Sequence, residues 1–523
     1  MEHSYDEWVS NANEALEISL VQPGPTGLRS IASFNPKFTY SIFGDEETII
    51  GYQGLKISLR FNASDMRPNL HVSSSKKLKT GEIEPTDIQT VLKGYLADVA
   101  FQKPSEFEQA VQQTSKVDYR PPGERIRSFV GSDGRYEIWK GTLSDPAVLQ
   151  LVKRIEIFVP FFIEGGTFIA KEDATSHTVD SADRWSIFFL YRTRQRPGSA
   201  DSYEYEFAGY STVYRFLLPV GPATPPRKGA KQDEFSLPPS DEDGHQTTSF
   251  ALAKLPCRSR ISQFIVLPPF QGKGNAGRLY SAIFDEYLDE PQTKEITVED
   301  PNEAFDDLRD IADLAHLSKL PAFTDVVRID TAVKIPRTGP SPRNIAGDPA
   351  ALETLRHTTK IAPRQFNRVV EMYLMQRLAP SVRPTLEEEE EDEGDEEEGK
   401  SVAAALAVAN GKDKGKSAAD SLPPVTPEQE HEYKLWRLLV KQRLYRHNKE
   451  ILGQLERSQR IDKLEETLVS VELEYARILS MFESRAKLAA EKQMSVKRKL
   501  SAADEAAASA AQNGSKRARV EDA

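Results

Sequence analysis

Cysteine is almost absent from this sequence, and so is any long hydrophobic run. Cys257 is the single cysteine among 523 residues, which excludes an intrachain disulfide and a cysteine-based zinc site. Apolar runs such as Ile157–Ile163, which contains Pro160, are far shorter than the about 20 residues of a membrane span. Met1 to Ser4 lacks the basic-then-apolar order of a secretory signal. We therefore expect a soluble protein of a reducing compartment, without membrane association.

Patterns for metal binding and for nucleic-acid binding are missing as well. The eight histidines form no HExxH motif and no close cluster, so we expect no metal site. Acidic residues outnumber basic ones by 80 to 68, for a formal net charge of -12. A nucleic-acid binder needs a broad basic surface to neutralise phosphates, so we expect no direct binding to nucleic acid.

Apolar residues are scarce, at 39% of the chain, against roughly 45–50% in globular proteins. Much of this deficit lies in three polar stretches, 219–248, 384–429 and 493–523. Their few apolar side chains cannot offset the conformational entropy of the chain, so we predict disorder there. The second stretch includes Glu387–Glu398, in which eleven of twelve residues are acidic. Without this run the net charge would be about -1, so the acidity is largely local.

The acidic run and the basic tail each have two interpretations. Runs such as Glu387–Glu398 are usually solvated linkers, although this one can also contact a cationic partner. In the tail, the basic clusters Lys497–Lys499 and Lys516–Arg519 predict a nuclear localisation signal. The alternative is that they belong to a flexible basic segment without this role. With such a signal, we expect the protein in both the cytoplasm and the nucleus.

The remaining sequence predicts an α+β fold. We predict a mixed N-terminal domain at residues 1–130 and a strand-rich core at 131–312, which carries the insertion 219–248. A helical C-terminal domain is predicted at 313–383 together with 430–492. Strands are predicted from β-branched and aromatic content at 56–61, 155–163, 185–192, 203–218, 262–267 and 295–298. Helices are predicted from apolar spacing at 10–18, 108–113, 278–288, 363–377 and within 430–490.

Two further predictions concern how these elements pair. The strands 185–192 and 203–218 flank a turn-rich segment, so we predict that they form a hairpin. The long helices of 430–490 do not follow a clean heptad. They either pack on the protein itself or form an intermolecular coiled coil.

The most informative segment joins a predicted strand to a predicted helix. It reads Phe264-Ile-Val-Leu-Pro-Pro-Phe-Gln-Gly-Lys-Gly-Asn-Ala-Gly277. Small residues let backbone N–H groups approach an anion closely, and a helix N-terminus adds unsatisfied donors. The segment is therefore a candidate pyrophosphate loop, and otherwise a tight strand-to-helix turn. It lacks the Gly-Lys-Ser/Thr of a Walker A loop, and its GxGxxG match at Gly272, Gly274 and Gly277 indicates a dinucleotide fold only weakly.

A family resemblance centres on the same loop. Gln271-x-x-Gly274-x-Ala276 resembles the Gln/Arg-x-x-Gly-x-Gly/Ala signature of the GCN5-related N-acetyltransferase superfamily. The wider sequence is more specific, because it resembles the catalytic subunits of type B histone acetyltransferases. The segments that resemble this family are Phe43–Thr48, Gly51–Lys56, Phe161–Phe168, Gly209–Tyr214, Ile261–Gly274 and Ile296–Asp310. The resemblance runs from about residue 10 to about residue 480, outside the stretches predicted to be disordered.

The resemblance implies that acetyl-CoA is the co-substrate and that acetyl passes directly to a lysine, with no metal. An ammonium group is not nucleophilic, so a carboxylate must take its proton. The resemblance implies Glu299 as this general base, with Glu164 and Asp300 as supporting acids. We expect the three to form a buried cluster in which one carboxylate accepts a proton near neutral pH. The alternative for Glu164 is a charge at a strand edge. Because direct transfer requires no covalent enzyme intermediate, we expect Cys257 to be an ordinary thiol and not a nucleophile.

Contacts to coenzyme A follow from the same resemblance. The backbone of Phe264, Ile265 and Val266 would pair with the pantetheine amides like an added strand. Asn302 and Arg309 would contact the cofactor from the segment that follows the base. The residues that would hold the pyrophosphate are Gln271, Gly272, Lys273, Gly274, Asn275, Ala276 and Gly277.

The acceptor side is expected to be acidic and aromatic, because histone tails are cationic and flexible. The resemblance implies tail contacts at Asp45, Glu46, Glu47, Trp185, Tyr214, Arg215 and Phe216. Trp185 is otherwise a core-packing residue. Arg215 and Phe216 differ from the residues of some relatives, which puts their individual roles in question.

The sequence therefore predicts a histone lysine N-acetyltransferase. The resemblance implies free, newly synthesised histones as substrates, chiefly histone H4, ahead of chromatin assembly. It also implies a WD-repeat histone chaperone as a partner subunit. The alternative is a non-catalytic histone-binding scaffold that uses Glu387–Glu398 as its contact segment. A small-molecule acetyltransferase of the same superfamily is disfavoured by the additional N-terminal domain.

Overall fold

The computed structural model describes residues 5–25, 27–79, 84–116, 118–169, 182–196, 202–218, 255–336, 341–386 and 424–518. The chain divides into two compact units. The first is Met1–Glu303 with Thr359–Ala362, and the second is Ala304–Thr358 with Pro363–Ala523. The insertion 219–248 lies outside the described residues, as do the acidic run and most of the stretch around it.

Small sheets make up the N-terminal part of the first unit. Their strands are β1 Val9–Asn11, β2 Leu16–Gly24, β3 Gly27–Phe34, β4 Thr48–Ile50, β5 Tyr52–Gln53, β6 Lys56–Asn62, β7 Pro68–Ser73 and β8 Lys76–Lys77. A four-stranded sheet has the order β3-β2-β6-β7, in which only β2 and β6 are parallel. β1 pairs with β4, and β5 with β8. The strand predicted at 56–61 is confirmed as β6.

The helix predicted at 10–18 is wrong. Only Ala12–Ala15 is helical, and β2 follows at once. Leu16 and Ile18 are fully buried, whereas Glu17 between them is exposed. This alternation has the period of two that a strand requires, and it outweighs the helical spacing of the apolar residues.

A six-stranded sheet forms the centre of the first unit. Its strands are β9 Glu124–Val130, β10 Arg135–Thr142, β11 Trp185–Gln195, β12 Tyr203–Leu217, β13 Cys257–Val266 and β14 Thr293–Val298. They follow in chain order, and every neighbouring pair is antiparallel except β13 with β14. The predicted hairpin is confirmed, because β11 pairs with β12 in antiparallel register. β9 shares this sheet, so residues 124–130 pair with the predicted second domain.

Helices of the first unit cover these sheets. They are α1 Ala12–Ala15, α2 Tyr40–Phe43, α3 Ile88–Lys93, α4 Pro104–Lys116, α5 Pro146–Ile155, α6 Phe158–Phe162 and α7 Asn275–Asp289. α7 packs on the central sheet, where the Tyr287 ring lies 6.0 Å from that of Phe188. α6 packs on β6, where the Phe158 ring lies 5.1 Å from that of Phe61. α7 also connects β13 to β14, because parallel neighbours need a crossover of this kind.

The strand predicted at 155–163 is wrong, because α5 and α6 occupy this segment. A short buried apolar run does not distinguish a strand from a buried helix. The signal that favours a helix stands just upstream. Asp145 caps α5 by accepting the N–H of Ala147 at 2.8 Å, and Pro146 begins the helix.

The named secondary-structure elements from Glu303 onwards are helices joined by loops. The helices are α8 Glu303–Leu317, α9 Pro321–Val326, α10 Pro349–Thr359, α11 Pro363–Arg377, α12 Pro427–His447, α13 Lys449–Gly453 and α14 Arg457–Ala518. The helix predicted at 363–377 is confirmed with the same bounds. Of the described helices, none combines the length and the apolar character that crossing a membrane would require.

Two boundaries in this part differ from the prediction. α12 begins at Pro427 rather than 430, because Thr426 and Gln429 form a capping box. α14 continues to Ala518, through much of the tail predicted to be disordered. That tail is rich in alanine, the strongest helix former, and this preference outweighs its lack of apolar anchors.

A buried ionic contact joins three helices of the second unit. The Glu371 side chain, on α11, is only 2% exposed. Its oxygens accept from Arg443 Nε on α12, at 2.8 and 2.9 Å, and from the Tyr475 hydroxyl on α14, at 2.8 Å. Removing one partner of such a pair leaves a buried charge without compensation.

We expect Glu371→Gln to lower the free energy of unfolding by about 3 kcal/mol, because Arg443 loses its buried counter-charge. The matched control is Glu430→Gln on α12, whose ion pair with Lys434 is 57% exposed on both sides and should change stability by less than about 1 kcal/mol. Urea denaturation of the full chain, followed by circular dichroism, measures both. Equal effects of the two substitutions would contradict the prediction.

Candidate active site

The parallel strands β13 and β14 diverge at the candidate site. β14 pairs with β13 only from Cys257 to Ile261, whereas β13 continues to Val266. The last link between them is the Glu299 N–H, which donates to the Ile261 carbonyl at 2.9 Å. β14 ends at Val298, whereas β13 runs on to Val266, and we call the edge of β13 beyond Ile261 the gap.

The hydrogen bonds of β13 show which of its amides face this gap. Gln263 donates its N–H to Thr212 Oγ1 of β12 at 3.0 Å. Alternation along a strand turns the amide of Ile265 to the same side and those of Phe264 and Val266 to the gap. An extended chain with amide groups, such as pantetheine, can add to that edge as a further strand.

The loop after β13 has the geometry of an anion cradle. Gly272 and Gly274 have φ values of +70° and +75°, which favour glycine. Gly274 is the N-cap of α7 and has no side chain that could cap the helix, so the first N–H groups of α7 are not satisfied by the cap residue and can bind an anion. A Cβ at Gly272 or Gly277 would meet no atom within 4 Å, so the space beside the loop is open. The loop therefore fits a pyrophosphate group, and Gln271 Nε2 ties it to Val266 O at 2.7 Å.

The other predicted loop residues support this shape. Lys273 Nζ forms an ion pair with Asp133 at 2.9 Å. Although partial burial opposes it, the hydrogen bond from Lys273 holds the pKa of Asp133 below its usual value. Asn275 is buried and donates to the Phe270 carbonyl at 3.0 Å, while Ala276 lies in the first turn of α7. Lys273 and Asn275 thus hold the loop in place through contacts with the protein itself.

Glu299, the predicted base, is fixed by two donors. Its Oε1 accepts from Arg260 Nη1 at 3.0 Å, and its Oε2 accepts from Ser262 Oγ at 2.5 Å. Ser262 is the extra residue of a β-bulge, since Ile261 and Gln263 both have partners on β12 in consecutive positions. Bulges re-aim side chains near functional sites, and this one aims the hydroxyl at the carboxylate.

A row of side chains crosses four strands and ends beside the base. Trp185, Tyr214, Arg260 and Thr297 lie directly opposite one another on β11 to β14. The rings of Trp185 and Tyr214 are 4.8 Å apart, and Phe216 lies 6.5 Å from Tyr214. The Arg260 guanidinium lies 5.3 Å from the centre of the Phe216 ring. We call Trp185, Tyr214 and Phe216 the aromatic row, and it gives a cationic side chain a path towards Glu299.

The predicted buried cluster of acids is wrong. Glu164, Glu299 and Asp300 are all exposed, since each follows the end of a helix or strand, where a charge keeps its hydration. Asp300 has a φ of +34° directly before Pro301. This is a strained conformation for a residue other than glycine, and such strain clusters at functional sites.

Glu164 nevertheless lies in a loop that contacts β13. Gln263 Nε2 donates to the Thr167 carbonyl at 2.8 Å. In the same loop, the Gly165 N–H donates to the Tyr40 hydroxyl at 2.6 Å. The loop therefore links α2 to the strand that leads to the cofactor loop.

The acidic residues that follow α2 differ in their exposure and contacts. Asp45 and Glu46 are exposed, as a contact to a cationic tail requires. Glu47 is engaged in the protein itself, because it accepts from the Thr39 N–H and from Asn13 Nδ2, both at 2.6 Å. Glu47 thus holds the turn, whereas Asp45 and Glu46 are exposed, and the tail contacts of all three stay predictions.

Three further predicted site residues have contacts or positions of their own in the described structure, and their predicted roles stay predictions. Arg215 forms an ion pair with Glu290 on the opposite face of β12 from Tyr214, because side chains alternate along a strand. Asn302 is exposed directly before α8. Arg309 belongs to the second unit, where its guanidinium lies 3.7 Å from Asp313.

Sequence reasoning missed three residues at this site. Arg260 and Ser262 hold Glu299, and Thr297 lies opposite Arg260 with a buried hydroxyl that has no hydrogen-bond partner in the described part of the chain. The available signal for Arg260 is the alternation of β13, which puts Arg258 and Arg260 on one face just before the glycine loop. A bulge at Ser262 has no such signal, because it depends on the partner strand.

Comparisons with known proteins identify the family of the chain. A family model described as histone acetyl transferase HAT1 N-terminus matches residues 8–164, and one described as fungal HAT1, C-terminal, matches residues 338–379. A solved aminoglycoside acetyltransferase from an uncultured soil metagenomic sample covers 40% of this chain and 95% of its own, at 12% identity. Its TM-score of 0.19 is too low to support an argument.

Full-length relatives are more informative. A protein of Gibberella zeae named histone acetyltransferase type B catalytic subunit is 47% identical over 523 residues, which cover 99% of each chain. A Neurospora crassa protein of the same name is 46% identical over 92% of this chain and 90% of its own. A third, from Pyricularia oryzae, is 45% identical over 99% of each chain. With this identity along nearly its whole length, the chain belongs to the family of type B histone acetyltransferase catalytic subunits.

Proposed function

We propose that this chain transfers the acetyl group of acetyl-CoA to lysine side chains in the N-terminal tails of histones. The position of Glu299 carries this proposal. It stands where β13 and β14 diverge, between a strand edge that suits pantetheine and a row that suits a cationic side chain. The name shared by the full-length relatives supports the substrate.

Each part of the site has a task in this reaction. Acetyl-CoA supplies an activated acetyl thioester when bound. The loop from Gln271 to Gly277 binds the pyrophosphate through backbone N–H groups, and the edge at Phe264 and Val266 orients the pantetheine arm. Glu299 takes the proton of the lysine ammonium, which makes the amine nucleophilic. Its acceptor oxygen is Oε1, because Ser262 keeps Oε2 in place.

The histone tail approaches along the aromatic row. Aromatic faces attract the ammonium and pack against the aliphatic stem of lysine. The exposed carboxylates of Asp45, Glu46 and Glu164 attract the surrounding basic residues. The Tyr40–Gly165 contact keeps the two acidic loops together.

We also propose the finer aspects of this function. The substrates are free, newly synthesised histones, chiefly histone H4, which are acetylated ahead of chromatin assembly. The partner is a WD-repeat histone chaperone, and the word subunit in the names of the relatives supports the existence of a partner. The protein acts in the cytoplasm and the nucleus, and the basic clusters Lys497–Lys499 and Lys516–Arg519 serve as its nuclear localisation signal.

A radiolabelled acetyl-transfer assay tests the proposed substrate. The full chain is incubated with acetyl-CoA and with free histones, nucleosomes or polyamines. We expect labelling of free histones above the other two acceptors. Preferred labelling of polyamines would indicate a small-molecule acetyltransferase, and histone binding without labelling would indicate the scaffold alternative.

We expect Phe216→Ala to raise the KM for a histone-tail peptide about fivefold, because the lysine loses an aromatic face worth about 1 kcal/mol. The Phe216 side chain is 45% exposed, so its removal should leave the fold intact. Val130→Ala is the matched control, since Val130 is 78% exposed on the outer strand β9. Peptide titrations at saturating acetyl-CoA measure both, and an equal KM in the two variants would contradict a role of the row.

A further inference from the structure

Arg260 lies at the meeting point of the aromatic row and the base. Its guanidinium is 5.3 Å from the centre of the Phe216 ring, and its Nη1 is 3.0 Å from Glu299 Oε1. We propose that Arg260 occupies, in the free protein, the place that the substrate ammonium takes in the complex. Arg260 is then a competing cation that the incoming lysine displaces. This inference rests on the proposed function and deepens it.

The chemistry of the two cations supports an exchange. A guanidinium and an ammonium both favour the face of an aromatic ring and the oxygen of a carboxylate. Arg260 has both contacts at once, with Phe216 and Glu299. The same two groups are those that the mechanism requires for the lysine, so one cation excludes the other.

The second donor to Glu299 makes the exchange possible. Ser262 Oγ holds Oε2 at 2.5 Å and does not depend on Arg260. When Arg260 leaves, the carboxylate stays in place and Oε1 faces the amine. Thr297 lies opposite Arg260, and its buried hydroxyl, without a partner in the described residues, is available to the entering group.

Exposure shows that this ion pair is open to replacement. The side chains of Arg260 and Glu299 are 31% and 44% exposed, and pairs of this kind contribute little net stability. The neighbouring pair on the same face, Arg258 with Glu295, joins the same two strands at 3.0 Å but lies farther from the gap. Arg258 carries the same charge as Arg260 but pairs with Glu295 instead of the base, which makes Arg258 a matched control.

Binding measurements on the full chain test this inference. We compare the wild type with Arg260→Gln, Arg260→Lys and Arg258→Gln, each titrated with a histone-tail peptide and with the same peptide carrying norleucine at the acceptor position. We expect Arg260→Gln to lower the Kd of the lysine peptide about threefold to fivefold, because a competing cation is removed. The Kd of the norleucine peptide should change less, since it has no ammonium to place. Arg260→Lys should restore the wild-type values.

Several results would overturn the inference. One is weaker lysine-peptide binding in Arg260→Gln, which would make Arg260 a direct contact. Another is an equal gain in Arg258→Gln, which would indicate a general effect of charge. If Arg260→Gln does not fold, Arg260→Met replaces it with the same expectations. Because these titrations need no turnover, a wild type that binds peptide but transfers no acetyl group would refute the proposed function and leave the exchange testable.

Discussion

Glu299→Gln should reduce kcat for acetylation of a histone-tail peptide by about 10²- to 10⁴-fold, the range that a positioned general base contributes. The amide keeps the size of the side chain and can still accept from Ser262, so its position is retained. It cannot take the proton of the ammonium. The Kd of the peptide should therefore change by less than about threefold, since a single exposed charge contributes little to binding.

The control for this substitution is Glu295→Gln. Glu295 belongs to the same strand and pairs with Arg258 in the way that Glu299 pairs with Arg260. It lies within the paired part of β14, away from the gap. We expect kcat to stay within a factor of about two there, because partly exposed ion pairs contribute little. Equal losses in both variants would show that the electrostatics of the strand, and not a base at Glu299, control the rate.

Gly274→Ala should raise the KM for acetyl-CoA about tenfold. The φ of Gly274 is +75°. A residue with a Cβ is less stable in this left-handed conformation by about 1–2 kcal/mol. A loss of about 1.4 kcal/mol in binding free energy corresponds to a tenfold loss of affinity. The new Cβ would also lie 2.9 Å from Arg278 Nη1. Arg278 donates to the Lys273 carbonyl within the loop, so its displacement would loosen the cradle.

The matched glycine is Gly94. It ends α3 with a φ of -75°, and a Cβ there would come no closer than 3.7 Å to another atom. Gly94→Ala should leave the KM for acetyl-CoA unchanged. Acetyl-CoA titrations at saturating peptide, with thermal unfolding as a check on the fold, compare the two variants. An unchanged KM in Gly274→Ala would argue against a pyrophosphate in this loop.

The loop and the central hairpin were predictable because their signals are local. Gly272 and Gly274 occur where a left-handed backbone is needed. The turn-rich segment between 192 and 203 joins two strands that are rich in β-branched and aromatic residues. The helix at 363–377 repeats apolar residues over four turns, which is the most reliable pattern in a sequence. In each case the residues that carry the signal are neighbours in the chain.

Contacts between residues distant in the chain, and apolar runs that suit two structures, are what the sequence does not predict. The Glu47 side chain holds Asn13 and the start of α2, and nothing near Glu47 in the sequence announces this. Arg215 turns away from the aromatic row because the register of β12 puts it on the other face. The run 155–163 was misassigned because its apolar residues suit a buried helix and a strand equally well.

Arg260 illustrates the same limit at the centre of the site. Its guanidinium meets Phe216 from β12 and Glu299 from the end of β14. These three residues are brought together only by the registers of two strand pairs. The alternation of β13 puts Arg260 on one face with Arg258, but only the folded sheet shows which side chains Arg260 meets there.

The most direct test is a single-turnover reaction of the full chain with acetyl-CoA and a histone H4 tail peptide, read by mass spectrometry. The wild type and Glu299→Gln are run side by side, and peptide binding is measured in the same preparations. We predict a lysine-acetylated peptide with the wild type, and equal binding with almost no product in Glu299→Gln. Binding without product in the wild type, or full product in Glu299→Gln, would contradict acetyl transfer with Glu299 as the base.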